Sequence, residues 1–502
     1  MMIVDNDLIS IQEARILAEN AGRAQRVLAT FSQEQLDEIV EAVAEAVGAQ
    51  AQALADMAYE ETDYGNPHDK AVKNRFVCTQ VREQLRGMRC VGVIGRDEHA
   101  RTMDIGVPVG VIAALCPATS PVSTTICKTL IAVKSGNAVV FSPHPRAARS
   151  IAAALDIMID AARAHGLPEG CLSYMSTVTK SGTAELMNHP ATSLVMLSGV
   201  PGMIGLARCS GKPVIYGGTG NGPAFVERSA DIRRAVADIM LSKTFDNGIA
   251  PSAEQSIVVD SCIEREVRHA LQECGAYFMT DEESLRLAEL LFCADGRHKA
   301  GMVGVSAPVL ARRAGISVPD NVRLLVAERK YVSEADPYSR ELLSPVLAYY
   351  VEDDWMHACE KCIELLLHER NAHTLVIHSS NEEVILQFAL KKPVGRLLVN
   401  TPATFGGMGV TTNLFPSMTL GSGSAGRGIT ADNVSPMNLI YIRKVGYGVR
   451  QYTGAQDAAG YGSRVCAAQG VMAPHDSDSR KMQALHRILM EAIGVMDGAA
   501  HR

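Results

Sequence analysis

The chain has 502 residues, 47% of them hydrophobic, a length that calls for two or more domains with large cores. Its net charge of -7, with the basic residues dispersed, gives no footprint for nucleic acid. No uncharged apolar run of about eighteen residues occurs, the N-terminus lacks a basic-then-apolar order, and the 12 cysteines are irregularly spaced, so a cytoplasmic protein with reduced thiols and no membrane span is expected.

From Ile9 to Glu61 apolar residues recur at helical spacing, and Ser32 with Gln35 makes a capping box. Residues 90–95 and 102–110 read as two strands of a hairpin, part of an arm over about 88–108. Strand (110–116), helix (124–134), strand (137–142), helix (147–165) and strand (194–198) then alternate, which implies a parallel sheet covered on both faces. Past Gly222 the pattern restarts with a strand at 224–227, a helix over 232–242, a strand at 256–260 and a helix over 264–274. The domain boundary is therefore drawn near 222: a cofactor-type α/β unit over 1–222, a second α/β unit over 223–420, and a return over 421–450. That return opens with the glycine-rich loop 421–428 and carries a late strand over 438–445, read as completing the hairpin's sheet across a subunit boundary. Residues 451–478 read as a linker, and 479–502 as an amphipathic tail helix with Met482, Leu485, Ile488, Leu489, Ala492 and Met496 on one face. Cys359 and Cys362, the only close pair, read as helix-borne packing rather than a metal site.

Several segments match a known family in order: 60–66 (EETDYGN) with Asp69, Lys70 and 73–76 (KNRF), 117–123 (PATSPVS), 141–146 (FSPHPR), 199–203 (GVPGM), 210–213 (SGKP), 220–223 (GNGP), 242–248 (SKTFDNG), 343–347 (LSPVL), 399–403 (VNTPA) and 420–424 (LGSGS). Over residues 55–448 the chain resembles the CoA-acylating aldehyde dehydrogenases, including the aldehyde half of bifunctional aldehyde/alcohol dehydrogenases and the bacterial-microcompartment enzymes. The resemblance implies an α/β aldehyde dehydrogenase fold: a Rossmann-like NAD or NADP domain, an α/β catalytic domain and a small oligomerisation sheet in a homodimer or larger homo-oligomer. It also implies a reaction in which a cysteine adds to a small aldehyde, hydride leaves to NAD(P)+, and coenzyme A releases the acyl group. It places Thr119, Ser142, Pro143, His144, Gly199, Pro201, Gly202, Met203, Gly218, Thr219 and Gly220 near the cofactor, with His144 a turn or pocket residue rather than a general base. His373, Asn400 and Thr401 match positions lining the catalytic side.

Two positions depart from the family. Ser120 stands where an asparagine or histidine usually helps hold the oxyanion. In the loop 243–255 (KTFDNGIAPSAEQ), a gapless reading puts Pro251 at the nucleophile's position, and proline has neither a nucleophilic side chain nor an N-H. A shift of one residue makes the position Ser252, or Ala250 with its cysteine replaced; Cys116, Cys127, Cys209 and Cys262 lie near matched motifs and read as small apolar residues. Glu254, just past the nucleophile's position, reads as a site residue or a salt-bridge partner.

Two functions compete: NAD(P)-dependent, CoA-acylating oxidation of a short aldehyde, and a catalytically silent relative that binds or scaffolds. The linker and tail helix also resemble the peptides that carry enzymes into bacterial microcompartments, against a tail that docks on its own oligomer.

Overall fold

The computed structural model describes residues 5–218, 220–368 and 373–450. The predicted linker, the tail helix and Thr219 lie outside the described residues. Among the described residues two compact units result, 5–96 with 103–445, and 97–102 with 446–450. Within the second, the Tyr447 N-H donates to the Arg101 carbonyl at 3.1 Å.

The helical lead-in is three helices, Asn6–Leu28, Gln33–Ala49 and Ala51–Thr62. Ser32 and Gln35 form the expected reciprocal cap, and Leu36, Ile39, Val40, Val43 and Val47 supply the buried face. Helix Pro67–Phe76 follows with Asn66 as its cap and a proline in the first turn, and runs on through a π turn, Val77–Val81. The π turn has no periodic signature, so sequence reading passed over it.

Strands β1 (Gly92–Asp97) and β2 (Thr102–Pro108) form a three-stranded sheet with β15 (Ile440–Gly446) in the order β1-β2-β15. The late strand therefore lies beside β2 of its own chain, which corrects the reading of a pairing between subunits. The cause is local: the Leu439 carbonyl accepts from Asn137 Nδ2 at 2.9 Å and from the Val109 N-H at 3.2 Å, and so delivers β15 to β2.

The first parallel sheet runs β5 (Leu172–Tyr174), β4 (Ala138–Ser142), β3 (Val111–Leu115), β6 (Thr192–Leu197), β7 (Val214–Tyr216). Its order reverses at β3, where chains in such sheets open a crevice beyond the strands' C-terminal ends. The helix that follows β3 begins at Pro121, earlier than periodicity suggested, because proline is at home in a first turn. The second parallel sheet runs β10 (Ala276–Phe278), β11 (Leu324–Glu328), β12 (Val346–Glu352), β9 (Ser256–Asp260), β8 (Pro223–Val226), β13 (Thr374–His378), β14 (Arg396–Val399). Strands β3, β4, β8 and β9 are buried at every position, which is why they read as continuous apolar runs. Cys359 and Cys362 are buried on helix Trp355–His368, and no metal-holding cluster occurs among the described residues. Among the same residues no helix is long and apolar enough to cross a membrane.

Candidate active site

The loop between helix Ile232–Thr244 and β9 is bent by two successive residues in the left-handed region, Asp246 (φ 49°) and Asn247 (φ 52°). Asp and Asn tolerate that conformation because their short side chains bond locally. Asp246 is fully buried, and its carboxylate accepts from the Asn66 N-H at 2.7 Å, from Lys70 Nζ at 3.3 Å and from Lys73 Nζ. Its own N-H donates to Asp69 Oδ2 at 2.7 Å. Burial opposes the charge on Asp246, yet the two ammonium groups and the hydrogen bonds hold its carboxyl below the usual range. Burial brings Lys70 down to about 8, with Asp246 opposing.

These lysines also grip the strand-to-helix turn that follows β3. Lys70 Nζ donates to the Thr119 carbonyl at 2.9 Å, and Lys73 Nζ donates to Ser120 Oγ at 2.7 Å. Ser120 stands at the N-cap of its helix but makes no cap bond with its side chain. An ammonium has only donors, so the Ser120 oxygen accepts and its own hydrogen is left to donate outward.

Further along the loop, Ala250 is buried and Pro251 half-buried. Gly220 faces Pro251 so closely that an added Cβ would fall 1.7 Å from the Pro251 carbonyl oxygen, and the Gly220 N-H donates to Glu341 Oε1 at 2.8 Å. Ser252 is 4% exposed and lies against Gly407. Glu254 accepts from the Ala403 N-H at 2.9 Å through Oε1, while Oε2 finds no hydrogen bond. It makes no ion pair at salt-bridge distance among the described residues, so the salt-bridge reading gives way to a buried carboxyl that burial pushes up to about 7. Lys243 donates to Gln255 Oε1 at 2.9 Å, and burial draws its ammonium down to about 7 against Glu254 and Glu341.

A cavity of about 250 Å³ opens beside this assembly, lined by Lys73, Phe76, Phe245, Phe405, Met408 and Val410 among others. Lys73 thus joins the cavity wall to Ser120.

His373 is 1% exposed, with Nδ1 at 2.7 Å from Thr374 Oγ1 and Nε2 without a partner. Burial, then Arg396, lowers it to about 3, which favours the neutral ring just before β13. The Asn400 side-chain amide bonds the Ser379 backbone twice, accepting from its N-H at 3.0 Å through Oδ1 and donating to its carbonyl at 2.8 Å through Nδ2, which makes it a turn residue. His144 Nδ1 accepts from the Arg146 N-H at 3.1 Å, a turn as expected.

The remaining candidates lie at strand ends of the first sheet. Ser142 closes β4 with Oγ at 2.8 Å from Thr183 Oγ1, followed by Pro143. Gly199 (φ 61°) packs its α-carbon on Pro117, where a Cβ would come within 2.7 Å, so the loops after β3 and β6 touch at the reversal point. Pro201 and Gly202 are exposed, Met203 is half-buried, and nothing lies within 4 Å of a Cβ built at Gly202. Gly218 is buried with φ 25°. A shallow, small-residue surface of this kind fits a dinucleotide laid across the strand ends. Of the thiols near matched motifs, Cys116 accepts from Thr125 Oγ1 at 3.2 Å, Cys127 is raised by burial to about 11, and Cys209 and Cys262 are exposed.

Residues 3–278 match the model of the aldehyde dehydrogenase family. The chain is 37% identical over 441 residues to a bifunctional aldehyde-alcohol dehydrogenase of Escherichia coli, covering 87% of this chain and 49% of that one, so it spans about half the length of that relative. It is 31% identical over 439 residues to a succinate-semialdehyde dehydrogenase (acetylating) of Clostridium kluyveri, covering 88% and 96%. Among solved structures, a probable aldehyde dehydrogenase from Listeria monocytogenes superposes with a TM-score of 0.87 at 45% identity, covering 89% and 99%. A Rhodopseudomonas palustris propionaldehyde dehydrogenase with bound CoA superposes with a TM-score of 0.78 at 26% identity, covering 86% and 97%. With the fold, the loop after helix Ile232–Thr244 and these likenesses together, the chain belongs to the aldehyde dehydrogenase family, among relatives that include its acylating members.

Proposed function

We propose that this chain binds NAD(P), coenzyme A and a short aldehyde or acyl group in an acylating aldehyde dehydrogenase frame, without thiol-based turnover. The observation that carries the reading is Pro251 on the loop that Asp246, Lys70 and Lys73 anchor, with no cysteine in the loop to replace it. Proline removes the attacking sulfur and the backbone donor together, so a bound carbonyl meets only the outward Ser120 hydroxyl. The cavity sets Phe76, Phe245, Phe405, Met408 and Val410 against Lys73, Arg75, Thr79 and Gln80, a mixed wall that suits a small substrate with an apolar body and a polar end.

The cofactor is assigned to the strand ends at Thr119, Ser142–His144, Gly199–Met203 and Gly218–Gly220, where it supplies the hydride acceptor when bound. Residues 1–222 then form the cofactor domain and 223–420 the domain that once held the thiol. The homo-oligomeric state, a place in a bacterial microcompartment and a shell contact through residues 479–502 belong to the same proposal. The second reading, full acylating turnover, is favoured by the family match.

One assay separates them: CoA-dependent reduction of NAD(P)+ with a panel of short aldehydes, alongside dinucleotide binding followed by thermal shift. Binding without turnover is the expected result. Turnover by the parent chain would refute it and require another nucleophile to be mapped.

A further inference from the structure

Away from this site, helix Trp355–His368 meets the residue that ends helix Glu382–Lys391 through a cysteine and a lysine. Cys359 is 4% exposed and Lys392 8%. Lys392 Nζ lies 2.6 Å from Cys359 Sγ, 2.8 Å from the Cys359 carbonyl oxygen, and 4.0 Å from the centre of the Phe388 ring. The N···S separation is shorter than the contacts to sulfur from Thr125 to Cys116, 3.2 Å, and from Arg313 to Met302, 3.7 Å. Cys359, Cys362, Leu365, Leu366 and Phe388 share one apolar cluster. Among the described residues no carboxylate forms an ion pair with Lys392, so the sulfur is the group placed to share its proton. Whichever of the two gives the proton up, a nucleophile results: thiolate or free amine.

We propose that Lys392 and Cys359 form a site of oxidative modification, at which a peroxide installs a single oxygen atom bridging Nζ and Sγ. In the first step the sulfur takes one oxygen from hydrogen peroxide, giving a sulfenic acid and water. In the second, the sulfenic oxygen bonds to Nζ, losing its own hydrogen and one from nitrogen. A second peroxide accepts those two hydrogens and leaves as two waters. Sulfur is oxidised by two electrons in the first step, and the nitrogen-oxygen bond accounts for two more in the second. The product holds one oxygen more and two hydrogens fewer than the reduced pair, and two single bonds meeting at oxygen span the gap without moving either backbone. Cys362 is a weaker competitor, because burial pushes its thiol up to about 12.

The full chain would be treated with hydrogen peroxide, digested and mapped by mass spectrometry, with and without dithiothreitol. The expected product is a linked pair of peptides carrying Cys359 and Lys392 with that composition. Reductant releases it, Lys392→Arg abolishes it and Cys362→Ala leaves it unchanged. A rise in Tm after peroxide, reversed by reductant, is the accompanying readout on the intact parent. Recovery of Cys359 as a free thiol while the exposed Cys209, Cys262 and Cys293 are oxidised would overturn the proposal, and so would a Cys359–Cys362 disulfide or a sulfinic acid at Cys359.

Discussion

Lys73 and Ser120 are 47 residues apart and joined by a 2.7 Å bond from Nζ to Oγ, which couples the helix before the π turn to the turn after β3. The same ammonium neutralises Asp246. One lysine therefore fixes both the candidate carbonyl-binding hydroxyl and the base of the loop that carries Pro251. Lys73→Met should cost about 3–5 kcal/mol, because it removes one partner of a buried ionic group and leaves Asp246 on Lys70 alone. Denaturant unfolding measures it; a loss under about 1 kcal/mol would mean that the cluster is not structurally important.

Pro251→Cys restores both a thiol and a backbone N-H at one position. CoA-dependent acyl transfer should rise by roughly a thousandfold or more over the parent, short of a full family rate because serine at 120 reaches less far than asparagine. Ala250→Cys, assayed beside it, should stay inactive. Activity in that variant alone would move the nucleophile's position by one residue.

Gly220→Ala tests how tightly the 218–222 segment closes on the loop. Its Cβ would meet the Pro251 carbonyl carbon at 2.6 Å as well as the oxygen, so backbone must shift. A stability loss of about 1–3 kcal/mol is expected, with weakened dinucleotide-induced thermal stabilisation. Unchanged behaviour in both would show that the contact is slack.

Glu254 gives a pH dependence of unusual sign. Its folded pKa, about 7, lies above the ordinary carboxyl value of 4.5, so between these limits the folded chain holds a proton that the unfolded chain has lost. That contribution to stability is present below 4.5 and fades as pH rises through about 7. Glu254→Gln keeps the acceptor for Ala403 and should flatten the fall of Tm across this window. An unaltered slope would assign the titration to another group.

Much of the fold was legible because the strands near the centres of the two parallel sheets are buried at every position and read as short apolar runs between helices. Residues 138–142 and 256–260 need no partner to be recognised. Strands Leu172–Tyr174, Val214–Tyr216 and Ala276–Phe278 are three residues long, too short to carry a period. The site was legible only in pieces. Lys70, Lys73 and Asp246 stood inside motifs that carried the resemblance, yet nothing local joins residues 173 and 176 apart in sequence, and their ionic partnership appears only when helix Pro67–Phe76 packs on the loop. His373 was marked by its matched motif alone, and the burial and the Arg396 neighbour that favour its neutral ring come from packing that the motif does not show.

Arg396 sets how far the protein can be dissected. It is 6% exposed and gives its hydrogens to the carbonyls of His373, Gly421 and Ala431, to Asn433 Oδ1 and to Thr374 Oγ1. Three of those five acceptors come after residue 420, where the sequence reading drew a boundary. A chain ended there would strand a buried cation among lost partners, so residues 223–420 would be insoluble when expressed alone and would require the return segment, supplied in one piece or as a co-expressed fragment, to fold.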